Sequence, residues 1–252
     1  MHDPTTRKLA LRLMSSGLTI AEVHRQTGVP QSTLGYWRKH PERPAAPVRA
    51  PCPRCHDREL DQKQYTYLLG LYLGDGHIVR THRQGVYRLE IACADVWPGL
   101  IDRAAEAISD VMPGHKVGRR QTRGCAIVGF YSSHLPCLFP QHGPGRKHER
   151  RIALAAWQQE LVDEHPEDFV RGLIHSDGCR SINRVRRSFN GGERWYEYPR
   201  YNFTNVSLDI QRLFTDTLDR LGIAWTQMNR KNISVARREA VARLDEFVGP
   251  KY

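Results

Sequence analysis

No stretch of this chain is apolar for long enough to span a bilayer, and its first residues, Met1-His-Asp-Pro-Thr-Thr-Arg-Lys8, lack the apolar core of a signal peptide. A membrane partner is therefore not expected, and the cytoplasm, or the nucleoid of a bacterium, is the expected location. The six cysteines, at 52, 55, 93, 125, 137 and 179, show no disulfide-framework spacing, which fits a reducing compartment. Acid is in short supply: 27 Asp and Glu face 38 Lys and Arg, a formal charge of +11. An excess of this size is the footprint of a polyanion partner, most often nucleic acid. Lysine is scarce within the basic set, seven of the 38, and the other 31 are arginine. Arginine suits bidentate contacts to phosphate and guanine edges, although GC-rich coding also inflates its count.

What is present is a motif written twice. Leu68-Leu-Gly-Leu-Tyr-Leu-Gly-Asp-Gly76 and Val170-Arg-Gly-Leu-Ile-His-Ser-Asp-Gly178 share Gly70/Gly172, Leu71/Leu173, Asp75/Asp177 and Gly76/Gly178, at a constant spacing of 102 residues. Each copy reads as an apolar helix ending in an acid and a glycine. A helix C-terminus carries partial negative charge, so a carboxylate there calls for a compensating cation. One Asp-Gly is an ordinary turn and cap signal; two in register are not. Gly70 and Gly74, and Gly172 and Ser176, recur at i and i+4, which lets two helix backbones approach closely. The repeat thus predicts a helix pair that carries Asp75 and Asp177 side by side, with a divalent metal as the remedy for their mutual repulsion.

These residues resemble the LAGLIDADG homing endonucleases in their single-chain, two-motif form, over about residues 61 to 252. The resemblance implies an α+β fold of two pseudo-symmetric αββαββα halves, whose antiparallel sheets form a saddle seated in the DNA major groove. It implies double-stranded DNA as partner, no small-molecule substrate, and a monomer sufficient for the catalytic core. Asp75 and Asp177 become the catalytic acids, and with Gly74 and Ser176 beside them they hold two Mg²⁺ ions for phosphodiester hydrolysis, one cut per strand. No covalent nucleophile is needed, so Tyr131, Ser132 and Ser133 are assigned no such role. Similar enzymes place a basic residue near the end of the last strand of each half. Arg237 or Arg238 fits that place in the second half, whereas the first half offers only His134, a departure that predicts lost or unequal cutting. His175 reads as a packed histidine rather than a ligand.

Ahead of this core, residues 1–40 read as a helix-turn-helix. Leu9, Leu13 and Met14 mark a first helix stopped by Gly17, and Thr19 with Glu22 forms a capping box for Ile20 to Gln26. A third helix spans Gln31 to Lys39, with Gln31, Ser32, Thr33, Tyr36, Arg38 and Lys39 on its exposed side, a set suited to base edges and phosphates. A helical protein-interaction module is the alternative. Residues 41–60 form a linker with prolines at 41, 44, 47 and 51, stiff and extended. It ends in Cys52-Pro-Arg-Cys55-His56, half of a candidate zinc site, for which His56, His142 and His148 are the available partners. Residues 61–140 and 166–252 are the two halves, and 141–165 connects them.

Basic side chains concentrate in the predicted strands and turns: Arg80, His82, Arg83, Arg88, Lys116, Arg119, Arg120 and Arg123 in the first half, and Arg180, Arg184, Arg186, Arg187, Arg200, Arg230 and Lys231 in the second, with Arg237 after the last strand. Of these, Arg80, Arg88, Arg119, Arg184, Arg186, Arg230, Lys231 and Arg237 are expected to contact DNA. A twisted two-stranded ribbon fits the major groove, and alternation puts about half of these side chains on one face. The function expected is sequence-specific DNA binding with metal-dependent double-strand cleavage. The alternative is a transcription regulator that keeps the fold without cutting, motivated by the helix-turn-helix.

Overall fold

A computed structural model describes residues 4–42, 52–56, 58–189 and 192–251. The chain divides into two compact units, Met1–Ala50 and Pro51–Tyr252. Most of the proline-rich linker, residues 43–51, lies outside the described residues. Among those described, no helix is long and apolar enough to cross a membrane.

Among its described residues the first unit holds three helices, α1 (Pro4–Ser15), α2 (Ile20–Thr27) and α3 (Gln31–Lys39). Thr19 and Glu22 close the reciprocal capping box: the Thr19 N–H donates to Glu22 Oε2 at 2.8 Å, and the Glu22 N–H to Thr19 Oγ1 at 3.3 Å. Gly28, at φ +68°, ends α2 with a left-handed cap that few other residues adopt without strain. Ala10, Val23, Val29 and Leu34 form a small core of its own, flanked by Leu13, Met14, Leu18, Ile20 and Trp37. The Arg7 guanidinium lies over the Trp37 ring and donates to His40 O at 2.9 Å, tying the first helix to the end of the third.

The second unit contains the repeat. Its first half runs α4 (Gln62–Asp75), β1 (Gly76–Arg80), β2 (Tyr87–Ala94), α5 (Pro98–Val111), β3 (Gly118–Thr122), β4 (Cys125–Ser132) and the one-turn α6 (Leu135–Leu138). After α7 (Ala156–Glu164), the second runs α8 (Pro166–Asp177), β5 (Gly178–Phe189), β6 (Gly192–Thr204), α9 (Leu208–Arg220), β7 (Thr226–Gln227), β8 (Asn232–Val235) and α10 (Arg238–Phe247). The sheets have the same order, β1-β2-β4-β3 and β5-β6-β8-β7, all antiparallel. Each half is therefore an αββαββα unit, as expected.

β6 begins at Gly192, so β5 and β6 form a long hairpin paired from Gly178↔Phe203 to Phe189↔Gly192. Only Tyr201–Thr204 of β6 also pairs with β8. Residues 192–200 are thus an edge, where Pro199 is tolerated because a missing N–H there breaks no second ladder.

α4 and α8 cross with their backbones almost touching. A Cβ on Gly70 would lie 2.6 Å from Phe169 O and 2.8 Å from Leu173 N; one on Gly172 would lie 2.2 Å from Tyr67 O. No real Cβ approaches so closely, so glycine at these two positions is what allows the crossing. Buried around this seam are Tyr65, Leu68, Leu69, Leu73, Phe169, Val170 and Leu173, the centre of one core that both sheets join. The first motif helix is apolar nearly all round because it is buried nearly all round.

Candidate active site

Both motif helices end on their acid, and each following glycine starts a strand in extended conformation, Gly76 at φ −83° and Gly178 at φ −108°. Glycine is needed there for space rather than handedness: a Cβ on Gly76 would meet Tyr72 Cα at 2.4 Å, and one on Gly178 would meet Ile174 Cα at 2.8 Å. The helix seam then brings the two ends together. The place of a Cβ on Gly74 is 2.1 Å from Ser176 Oγ and 3.1 Å from Asp177 Oδ2. Asp177 is half-buried and Asp75 keeps an exposed face. Asn205, just after β6, donates Nδ2 to Asp177 Oδ2 at 2.5 Å and fixes that carboxyl.

Two lysines supply the cation that each helix end calls for. Lys147 Nζ donates to the carbonyl oxygens of Tyr72 (2.7 Å), Leu73 (2.7 Å) and Gly74 (2.5 Å), the unsatisfied acceptors at the end of α4. Lys251 Nζ does the same for α8, donating to Gly178 O at 2.5 Å and reaching Ser176 O at 3.4 Å. Each arrives from the segment after the closing helix of its own half, α6 or α10. Burial pulls Lys147 down to about 8, while the charges of Asp177 and Asp75 hold it up. Burial also lowers Lys251. Asp177 is pushed up to about 6, first by burial and then by the charge of Asp75, against the Asn205 bond and both lysines. Asp75 is raised by burial as well, against the charges of Lys147 and Lys251.

Asp177 and Lys147 open onto a cleft of about 730 Å³ between β1, the 141–150 loop and Asn205, with His77 and His142 on its walls. Asp75 and Lys251 share a narrower one of about 90 Å³ with Cys93, His175 and Ser176. Burial and the neighbouring Asp75 push the Cys93 thiol up to about 12, which leaves it inert. His175 is buried, with Nε2 2.8 Å from Val248 O and Nδ1 2.9 Å from Tyr67 Oη. Since a carbonyl only accepts, Nε2 carries the proton and Nδ1 accepts from the tyrosine. Burial holds this ring neutral, down to about 4. Ser176 turns its hydroxyl back to Gly172 O (3.1 Å) and Leu173 O (3.0 Å), so its carbonyl is the group left to face a metal.

The basic partners expected from sequence are corrected. His134 sits beside Cys55, Nδ1 to Sγ 3.2 Å. Arg237 and Arg238 are exposed at the start of α10. The cations beside the acids are Lys147 and Lys251. A signal for them exists in the sequence: Gly143-Pro144-Gly-Arg-Lys147 and Gly249-Pro250-Lys251 repeat a Gly-Pro…Lys pattern after each half. Of the zinc partners considered, His142 packs against Tyr87 and His148 lies beside Glu149. His56 Nδ1 instead accepts the Cys52 N–H at 3.2 Å.

Register sorts the sheet arginines by face. Leu89, Ile91, Val128, Phe130, Tyr201 and Phe203 are buried and mark the helix-covered side. Arg80 opposes Tyr87 and Arg119 opposes Val128, which puts both on that side; Arg119 bridges Asp102 of α5 at 2.6 Å. Arg184 and Arg186 share the face of Arg180, which reaches Asp245 of α10, and pair with Glu197 (2.7 Å) and Glu193 (3.2 Å). Of the strand arginines expected to read DNA, Arg88 alone lies on the open face. The open face also carries Arg120, Arg187 and Arg200, expected among the basic strand residues, and Arg194, which was not, with Tyr131, Tyr196 and Tyr198. Arg187 and Arg194 stand directly opposite each other. Like charges at opposed positions repel, an arrangement that a bound anion relieves. Arg230 and Lys231 are exposed in the turn before β8, and in the first unit Gln31, Ser32, Tyr36 and Arg38 are exposed on α3 with Thr33 half-buried.

No protein-family model and no curated protein matches the chain. Among solved structures, it is similar to a variant of the homing endonuclease I-DmoI in complex with its target DNA, at 14% identity and a TM-score of 0.50, covering 76% of this chain and 98% of that one. The protein has the LAGLIDADG fold. The LAGLIDADG meganuclease I-AabMI bound to uncleaved DNA (11% identity, TM-score 0.47, 73% of this chain and 83% of that one) is also similar. So is the N-terminal LAGLIDADG domain of DUF199/WhiA (10%, 0.46, 76% and 83%). At such identities the likeness concerns the LAGLIDADG fold, and function has to be argued from the site.

Proposed function

We propose that this protein binds double-stranded DNA on the open faces of its two sheets and hydrolyses one phosphodiester in each strand with divalent metal. The observation that carries the reading is the pair of acids at the seam of α4 and α8, each at the end of its own motif helix. The oxygens available, two carboxylates and the carbonyls of Gly74 and Ser176, are hard donors that fit Mg²⁺. Asp75 and Asp177 would hold the ions; once bound, they supply an acidified water and charge neutralisation at the phosphate. Asn205 keeps the Asp177 carboxyl in place, and the lysines offset negative charge beside the scissile group. The opposed Arg187 and Arg194, and Arg88 against Tyr131, give the open face its positive charge. The helical unit, through α3, adds a second DNA contact.

The test is selection of the bound sequence from a random duplex library, then cleavage of that duplex with Mg²⁺. The parent chain should cut, and Asp75→Asn and Asp177→Asn should bind but not cut. Binding without cleavage at any divalent ion tested sinks the nuclease reading.

A specific observation favours a second reading, a regulator that binds DNA without cutting. Lys147 already donates to Gly74 O, and Lys251 lies by Ser176 O, so a metal has to displace the protein's own cations. Lys147→Met separates the readings. In a nuclease it should tighten Mg²⁺ binding measured by calorimetry while altering cleavage. In a regulator it should lower stability by about 2 kcal/mol, from buried carbonyls left unpaired, with no Mg²⁺ binding before or after.

A further inference from the structure

Away from the acids, four metal-ligating side chains converge. Cys52, Cys55, His134 and Cys137 place one ligand atom each within 4.8 Å of all the others. They come as two knuckles, Cys52-x-x-Cys55 and His134-x-x-Cys137, each with the spacing of a zinc-binding turn. The first is a tight turn, closed by the His56 N–H on Cys52 O at 3.1 Å. The second knuckle is α6: His134 is its N-cap and Cys137 lies one turn on, with its N–H on His134 O at 3.0 Å. Residues three apart share a helix face, which explains a helix of only one turn at this point. Cys52 is wholly buried, Cys55 exposed, and His134 and Cys137 half-buried, so an ion can enter from one side. Arg54, between the first two thiols, is anchored over the Trp157 ring at 4.5 Å.

We propose that these four residues form a structural Cys₃His zinc site, which pins the segment leading into α4 to the end of the first half. Zinc–sulfur bonds of about 2.3 Å set tetrahedral ligand atoms about 3.8 Å apart, so the cluster closes on an ion by contracting about an ångström at its widest. Binding replaces three S–H bonds with three S–Zn bonds and releases three protons to solvent, and His134 ligates through a neutral ring nitrogen. Three thiolates on Zn²⁺ leave a net charge of −1. The donor set selects zinc over Mg²⁺, since thiolates are soft ligands. All four ligands belong to the Pro51–Tyr252 unit, so the site is independent of whether Asp75 and Asp177 cut DNA.

The experiment is elemental analysis of the full chain after desalting into metal-free buffer, followed by exchange with Co²⁺. One zinc per chain is expected, with cobalt giving the sulfur-to-metal charge-transfer bands of thiolate ligation. Cys55→Ser and Cys137→Ser should each lose stoichiometric zinc, and Asp75→Asn with Asp177→Asn should keep it, which separates this site from the acids. Should a cysteine variant fail to fold, the parent chain answers the same question. After chelation, Cys55 and Cys137 should alkylate at least tenfold faster than in the zinc-loaded chain. A chain that retains no zinc, shows no cobalt–sulfur band, or alkylates at one rate with and without metal overturns the proposal.

Discussion

Asp177 is the most strongly perturbed acid of the site, and its shift has a readable consequence. Its folded value, about 6, lies above the ordinary 3.8. In metal-free protein its contribution to stability is therefore full below pH 4 and lost as pH rises through 6. His175 acts in the opposite sense: held near 4, it contributes stability above its usual 6.5 that is lost as pH falls through 4. The difference between parent and Asp177→Asn isolates the acid, because His175 is common to both. We expect the variant to gain on the order of 2 kcal/mol relative to the parent between pH 4 and pH 7, measured by urea unfolding without divalent ions. A flat difference would mean that neither burial nor the charge of Asp75 raises Asp177. Both acids were legible in the sequence because the repeat kept them in register. The lysines were not, because their Gly-Pro…Lys repeat has two extra residues in the first copy. His134 has the charge of a basic partner but not the place of one; its spacing to Cys137 matches that of Cys52 and Cys55.

The helix pair depends on two positions without side chains. Gly172→Ala puts a methyl into Tyr67 O, a backbone atom that cannot step aside. Forced overpacking of this kind costs about 3 kcal/mol or more, and it should lower the unfolding midpoint and abolish DNA cleavage together. Gly85→Ala, at a turn with open space but φ +70°, should cost only about 1 kcal/mol and leave function intact. Strand positions and the helix seam could be read from alternation and small-residue spacing. Strand faces could not, because a strand's period says which residues share a side and not which side the helices cover. The arginines follow from this. Arg187→Ala with Arg194→Ala should weaken DNA binding on the order of tenfold at moderate salt and reduce the salt slope by about 2. Arg184→Ala with Arg186→Ala, on the helix side and paired with Glu197 and Glu193, should change it less than about twofold, read by fluorescence anisotropy across a salt series. Equal effects would refute the assignment of faces.

Across the whole chain, composition marked a polyanion partner and the repeat marked two halves, while the linker between the units lies mostly beyond what the structure describes. The halves share a topology but not a reach. β1 spans five residues, and β5 and β6 span 12 and 13. At roughly 3.3 Å per residue, the second hairpin runs about 40 Å against about 17 Å for β1. A duplex rises about 3.4 Å per base pair, so the excess corresponds to some seven base pairs. Hydroxyl-radical protection of a bound duplex should therefore be lopsided, extending about that much further on one flank than on the other. On the proposed reading, so uneven a pair of arms gives the complex a polarity: the favoured sequence need not be a palindrome, and the chain would bind it in one orientation only.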